Sequence, residues 1–499
     1  MSDTTASARP AAGGSGAPGA SGSPSAPVVS RRAWQALIVL LAGMFIALLD
    51  TTIVNVALPT IRTSLDASES TLSWIISGYA LAFGLALIPA GRLGDRYGHK
   101  WVFVTGIALF TLASLACGVA QDDLQLVIAR VVQGLAGGLF VPAVTAFIQL
   151  LFPPLKRGVA FAIMGAVIGV SSALGPIVGG LLIELLGDEN GWRWTFAINL
   201  PIGVVALVAA AILLPAGGEG KKLSTDVVGL LLLTGSLVAL LVPLIQGQDE
   251  GWPLWTYLSL AGGVVLLVAF AFWERIVVRR GQEPLVPPHL FSHAAFTGGV
   301  VLALVYFAAF TSIFFTISLF WQSGLGHTAL ESGLVSIPFA IGSIIGSSQS
   351  DRLAGRLGRS VLSIGVGLLA LGLIALWLII LAVPAADLTN WTLLPALLVA
   401  GFGSGLFIAP NARFIVATVD RSEAGAASGV VGTMQRIGSA IGIAVIGSVF
   451  FGNIGTITGP QDLPEAFAAA ATPALAVSAG LAVVAFLLVF SLPKRVNLH

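Results

Sequence analysis

The 499-residue chain carries a net charge of +1, with only 9% charged and 56% hydrophobic residues and a mean hydropathy of +0.97. A soluble globular surface does not tolerate that balance, so the chain reads as a polytopic membrane protein. A net charge so near zero offers nothing to a nucleic acid, and a single cysteine, Cys117, excludes an intrachain disulfide.

Residues 1–33, with AAGGSGAPGASGSPSAP at their centre, cannot bury enough apolar surface to fold and read as a disordered cytoplasmic tail. No apolar core with a small-residue cleavage site precedes Arg31 and Arg32, so the tail lacks the shape of a cleaved secretory signal. With ~20 residues needed to cross the hydrocarbon core, fourteen helices are predicted beyond the tail. They lie near 34–57, 72–90, 101–119, 124–150, 158–184, 194–214, 227–245, 255–274, 296–320, 330–350, 361–383, 392–415, 425–449 and 474–493. Helices alone fit, because a chain in lipid must satisfy its own backbone and these runs are too long and too uniformly apolar for barrel strands.

The first of these helices contains LLDTTIVNVALP at 48–59, and Asp50 is the only acid between Trp34 and Pro59. At 1.5 Å per residue it lies roughly 13 Å below Pro59, the expected outer end of the helix. Arg130 in the fourth helix sits about 9 Å from its outer end. Tyr79 and Gln133, in the second and fourth helices, fall at comparable depth. An intramembrane charge is costly and faces a cavity or a partner. Asp50, Arg130, Tyr79 and Gln133 are therefore expected to converge on one side of a central cavity. The plainer alternative is a fixed Asp50–Arg130 pair, or an aspartate bound to helix-end amides, that only holds the fold.

Between the second and third helices stands GRLGDRYGHK at 91–100, a short polar connection with Gly91, Gly94 and Gly98 for tight turning and cations at Arg92, Arg96 and Lys100. The fifth helix carries GAVIG and GPIVG. Gly175, Pro176 and Gly179 there suit close packing and a bend, since proline frees a backbone carbonyl. The seventh and eighth helices carry no feature that explains them. Phe307, Phe310, Phe314 and Phe315 in the ninth helix are ordinary packing or the wall of an apolar pocket. Glu184 and Glu331 stand at outer helix ends, where water reaches them. Arg436, in QRIGSAIG of the thirteenth helix, is counted with the polar layer. It either attracts an anionic group or is a structural arginine bonded to carbonyls.

All but four of the 24 Lys and Arg residues fall on the side of the membrane that holds the N-terminus, the exceptions being Arg62, Arg130, Arg193 and Arg436. Cytoplasmic loops collect such residues, so both termini are expected in the cytoplasm and the helix count is even. Three echoes relate the halves: GRLGDRYGHK with DRLAGRLGRS at 351–360, GLAGGLF at 134–140 with GFGSGLF at 401–407, and Gly158, Gly165 and Gly175 with Gly425, Gly432 and Gly442. Their order points to two duplicated six-helix bundles, 34–214 and 294–499, separated by a linker, 215–293, with two extra membrane helices. Duplicated halves around a midplane site are what secondary transporters rock to alternate access.

These motifs carry a resemblance. GRLGDRYGHK is similar to the loop signature of the major facilitator superfamily, and LLDTTIVNVALP resembles the first-helix signature of its fourteen-helix drug:proton antiporter branch. RVVQGLAGG, SALGPIVGG and WRWTFAINLPIG match as well, and the likeness spans residues 34 to 493. One departure is His99, where the family loop usually has arginine. The resemblance implies an all-helical facilitator fold and a carboxylate at Asp95 that faces the start of the thirteenth helix near Gly425. That contact would latch the cytoplasmic side, with Arg92 and Arg96 as companions. It also implies export rather than uptake, from the glycine–proline pattern of the fifth helix.

The chemistry expected is proton coupling. Desolvation favours a protonated carboxylate and a nearby guanidinium favours an ionised one, so an Asp50 that gains and loses Arg130 as the halves rock would load and release a proton. A cavity with one deep acid suits a small lipophilic compound, monocationic or neutral, better than a dication. Enzyme chemistry finds no support: His99, His289, His293, His327 and His499 are scattered without metal-ligand spacing, and Gly94 to Lys100 lacks phosphate-loop spacing. The chain is thus expected to be a monomeric proton-coupled multidrug exporter of the cytoplasmic membrane, with substrate, protons and lipid bilayer as partners and no cofactor or metal. A lipid exporter and a proton-coupled solute symporter are the alternatives.

Overall fold

The computed structural model describes residues 29–67, 69–187, 190–216, 226–247, 250–416, 419–420, 423–454 and 459–493. Most of the expected tail, up to residue 28, lies outside them. Within them the chain is all-helical, with no strand. The helices in order are α1 (Arg31–Leu65), α2 (Glu69–Tyr97), α3 (His99–Val119), α4 (Asp123–Leu151), α5 (Pro154–Leu186), α6 (Gly191–Ala197), α7 (Asn199–Leu213) and α8 (Val227–Gln246). They continue as α9 (Leu254–Arg279), α10 (Ala294–Leu319), α11 (Ala329–Val335), α12 (Ile337–Leu357), α13 (Ser360–Ala382), α14 (Asn390–Val416), α15 (Ala424–Gly452) and α16 (Leu463–Val489). Fourteen spans among them are long and apolar enough to cross a membrane.

Prolines account for most differences from the predicted boundaries. Two predicted helices are split in two: α6 and α7 part at Ile198, and α11 and α12 part at Ser336. Pro201 and Pro338 each lack the N–H that would bond the carbonyl four residues earlier, so the ladder is interrupted there. Pro473, expected as a boundary, is instead carried inside α16, which starts at Leu463. Likewise α1 continues to Leu65, beyond the boundary expected at Pro59. It starts at Arg31, where the Ser30 hydroxyl accepts from the Ala33 N–H at 3.2 Å and caps the first turn.

Helices α1–α7 pack among themselves and α10–α16 among themselves, giving two pseudo-symmetric bundles. The bundles meet along α2 and α15 on one side and along α5 with α12 and α14 on the other. Glycine makes the approach close, because backbones can touch only where no side chain stands between them. A Cβ at Gly134 would strike the Tyr79 carbonyl, and one at Gly442 the Ala308 carbonyl. The inserted α8 and α9 pack on each other, and α8 lies along α2 and α15, where Leu233, Leu237 and Leu241 join an apolar cluster with Ile88 and Ile437.

Candidate functional site

The first bundle closes around a polar centre. Asp50, Arg130, Gln133, Asn199, Ser114 and Tyr79 are all buried there, between α1, α2, α3, α4 and α7. Arg130 pairs with Asp50 Oδ2 through one terminal nitrogen, which also donates to Gln133 Oε1 at 2.7 Å. Its Nε donates to the Ile75 carbonyl at 3.1 Å. The second carboxylate oxygen, Oδ1, accepts from Gln133 Nε2 at 3.0 Å and from Asn199 Nδ2 at 2.9 Å. Both amides also donate to Ser114 Oγ, at 2.8 and 3.3 Å. The Arg130 guanidinium lies 4.1 Å from the centre of the Tyr79 ring, whose hydroxyl donates to the Ala47 carbonyl at 2.9 Å. Such an ion pair persists away from water because both carboxylate oxygens are hydrogen-bonded and the guanidinium is shared out among carboxylate, amide, carbonyl and ring.

Four of the residues expected to converge therefore do, and they meet inside the first bundle, with Asp50 fully enclosed. The fifth, Arg436, is apart from them on α15 of the second bundle. Its guanidinium stacks 4.0 Å over the Phe83 ring of α2. Asn199 and Ser114 were missed in the sequence, although an asparagine in the apolar run INLPIG was a signal of the same kind as Asp50.

What reads as a connection at 91–100 is mostly helix: residues 91–97 are the last two turns of α2, and only Gly98 breaks it. Its φ of +91° is one that a side chain would resist. Gly91 packs backbone to backbone on Gly425, where a Cβ would overlap the Gly425 carbonyl oxygen. One turn on, Asp95 accepts from the backbone N–H of Gly425 at 3.1 Å and of Ala426 at 3.2 Å, at the positive end of α15. His99 stands 3.4 Å from the same carboxylate. Arg92 donates to the Pro284 carbonyl, in the segment after α9, and the Arg96 guanidinium lies 4.9 Å from the Tyr97 ring. That segment is also held by Glu274, which accepts from the Val286 N–H at 3.2 Å. The echo of this arrangement in the second bundle is Asp351, which pairs with Arg413 at 3.0 Å and lies against Gly158 of α5. Asp95 thus bonds across the α2–α15 seam, whereas at the other seam Asp351 lies against α5 while its ion pair stays within the second bundle.

On α5, Gly175 and Gly179 seat the helix on α1 directly beyond Asp50. A Cβ at Gly175 would meet the Thr52 side chain and the Ile53 nitrogen, and one at Gly179 would lie 2.9 Å from Ile53 Cγ1. Pro176 lies against Gly333 of α11, and α5 stays helical through it. On α10, Phe310 is buried in edge contacts with Phe314 and Phe339, whereas Phe307, Phe314 and Phe315 are half-buried.

Comparison with known proteins agrees with this architecture. The family model described as Major Facilitator Superfamily matches residues 40–443 and again 301–497. The chain is 39% identical over 440 residues to a Streptomyces coelicolor protein named "Probable actinorhodin transporter", covering 88% of this chain and 76% of that one. It is 36% identical over 426 residues to a puromycin resistance protein of Streptomyces alboniger, covering 84% and 82%. Among solved structures it resembles the proton:xylose symporter XylE with a TM-score of 0.62 at 16% identity, covering 92% of this chain and 95% of that one. At that identity the likeness is one of fold alone.

Proposed function

The chain belongs to the major facilitator superfamily of membrane transporters, and from that premise we propose that it is a proton-coupled antiporter. It exports small lipophilic compounds across the cytoplasmic membrane by alternating access, as a monomer with both termini in the cytoplasm. Relatives named for antibiotic transport or resistance support the outward direction. The observation that carries the coupling is the enclosed Asp50–Arg130 pair, a carboxylate with no exposure and a single cationic partner. In a membrane interior a bare carboxylate favours its neutral form, whereas here Arg130, Gln133 and Asn199 all bond the charged one, so a shift of α4 against α1 that loosens the pair favours protonation. Proton uptake at Asp50 then frees Arg130, and return of the pair expels the proton.

Asp95 of α2, bonded to the first turn of α15 and echoed by Asp351 beside α5, serves as the cytoplasmic latch, released when the bundles rock inward. Gly175, Pro176 and Gly179 form the pivot of α5 against α1. With Asp50 enclosed, the exported compound meets no free deep carboxylate among the described residues. The geometry therefore supports a neutral or singly charged compound and gives a monocation no special place.

Reconstituted protein under an imposed pH gradient tests this reading. Candidate cations, anions, neutral compounds and lipids are compared, and protons are expected to leave the vesicle lumen as substrate enters it. Uptake of substrate and proton together would make the protein a symporter, and gradient-independent movement would remove the coupling altogether.

A further inference from the structure

Arg436 lies about 18 Å along α15 from its first residue and about 24 Å from its last, so it stands near the middle of the span. Arginine there needs a counter-charge, a set of carbonyls or water. Among the described residues no carboxylate lies within 4 Å of it and none of its N–H groups has a hydrogen-bond acceptor. Its one close companion is the Phe83 ring, 4.0 Å away, which shelves the guanidinium without neutralising it. The side chain is half-buried, and its neighbour Gln435 is half-buried and equally without a hydrogen-bond partner.

The direction of that exposure follows from the helix. Met434, Ile437 and Ile441 join the apolar cluster under α8, which covers the lipid side of the α2–α15 seam. Gly425, Gly429 and Gly432 pack on α2, and Gly438 and Gly442 pack on α10. At 100° per residue, Gln435 and Ser439 occupy the stripe left between the α2 and α10 contacts, on the face turned away from α8, and Arg436 stands at the α2 edge of that stripe, its Cβ near Gly84 and its guanidinium over Phe83. The stripe continues onto α10, where the Thr311 hydroxyl donates to Ser439 Oγ at 2.8 Å. Thr311 shares a helix face with the half-buried Phe307, Phe314 and Phe315. An uncompensated, forked cation thus rests on Phe83 at the α2–α15 seam between the two bundles, at mid-depth, one turn before the Ser439–Thr311 contact that leads to the half-buried phenylalanines of α10.

We propose that Arg436 is the subsite for an anionic group on the exported compound, and that the substrate class includes lipophilic aromatic monoanions such as carboxylates, phenolates or sulfonates. The guanidinium fork supplies two parallel donors to a planar or tetrahedral oxyanion, and Phe83 holds it in place. The aromatic residues of α10 take the apolar body. This deepens the efflux reading and rests on it, since it names the substrate of that same pathway.

The test is equilibrium binding to the full-length protein in lipid nanodiscs, with empty discs subtracted and three probes of one shape: 2-naphthalenesulfonate, 2-naphthalenesulfonamide and 2-naphthyltrimethylammonium. The sulfonate is expected to bind at least about tenfold more tightly than the sulfonamide, the scale of one charge-assisted contact, and the ammonium most weakly. Arg436→Gln brings the sulfonate-to-sulfonamide ratio to near one. Ser439→Glu, three residues on and so on the neighbouring turn of the same face, sets a carboxylate within reach of the guanidinium, lowers the ratio about fivefold or more and decides the question if Arg436→Gln does not assemble. A wild-type ratio near one, or a ratio that either assembled variant leaves unchanged, overturns the proposal. No gradient exists in a nanodisc, so that failure leaves proton exchange standing. A lost exchange with an intact ratio would count against exchange alone.

Discussion

Replacing Asp50 by asparagine removes one charge from a centre where nothing else can neutralise Arg130. Asp50 and Arg130 are 0% and 1% exposed, so solvent screening does not rescue the orphaned guanidinium. The amide also turns a donor toward one of the three groups, Arg130, Gln133 and Asn199, that now donate to the carboxylate. Removing one partner of a buried pair costs about 3–5 kcal/mol, most of it the uncompensated charge. Two effects are therefore expected together: loss of pH-gradient-driven accumulation in proteoliposomes, and a lower apparent melting temperature in a thermal scan of the purified protein. Adding Arg130→Gln to Asp50→Asn removes the orphan charge, so the double variant regains much of the stability while transport stays lost. The reasoning is refuted if Asp50→Asn accumulates substrate at the wild-type level, or if the double variant melts at or below the lower of the two single ones.

Other outcomes rest on the same geometry. Asp95→Asn replaces two charge-assisted contacts to Gly425 and Ala426 with at most one neutral acceptor, costing about 1.5–3 kcal/mol of the latched state. Thiol labelling of single cysteines placed beside Gly425 should then become faster, and an unchanged rate would argue that Asp95 does not hold this end shut. Gly91→Ala sets a methyl group against the Gly425 carbonyl, which is backbone and cannot swing away. Transport should fall at least about tenfold, on the scale of overpacking by 1–3 kcal/mol, while surface expression persists; near-normal transport would show the seam has slack. Gly175→Val forces α5 off α1 at Thr52 and Ile53, with an expected stability loss of about 1–3 kcal/mol read from thermal inactivation. Export of a monoanion against one entering proton moves two charges in the same electrical sense, worth ~2.3 kcal/mol each per 100 mV. A sulfonate substrate should thus give about twice the current per molecule of a neutral one on a supported membrane.

The membrane class, the number of spans and the presence of a polar layer were legible in the sequence because lipid imposes them locally. A span must be about 20 residues long and apolar, and any acid inside it stands out, as Asp50 does between Trp34 and Pro59. Helix ends were less legible where proline was involved. The same residue splits α11 from α12 at Pro338 yet is absorbed in α16 at Pro473, and only neighbours that satisfy the freed carbonyl, or fail to, make that difference. Depth along a helix axis could be counted, and it grouped Asp50, Arg130, Tyr79 and Gln133 rightly with one another.

Depth does not say toward which neighbour a side chain turns. That Asp50 is enclosed by Gln133, Asn199 and Arg130, while Arg436 at similar mid-depth has no ion-pair or hydrogen-bond partner among the described residues and rests on Phe83, depends on which helices pack side by side. Helix adjacency is set by backbone contacts between glycines and carbonyls far apart in the chain, such as Gly91 with Gly425, and no local pattern encodes such pairings. Composition and spacing therefore determined that this chain crosses the membrane many times with a few charges inside it. Tertiary packing alone decided which of those charges is paired and which, among the described residues, is not.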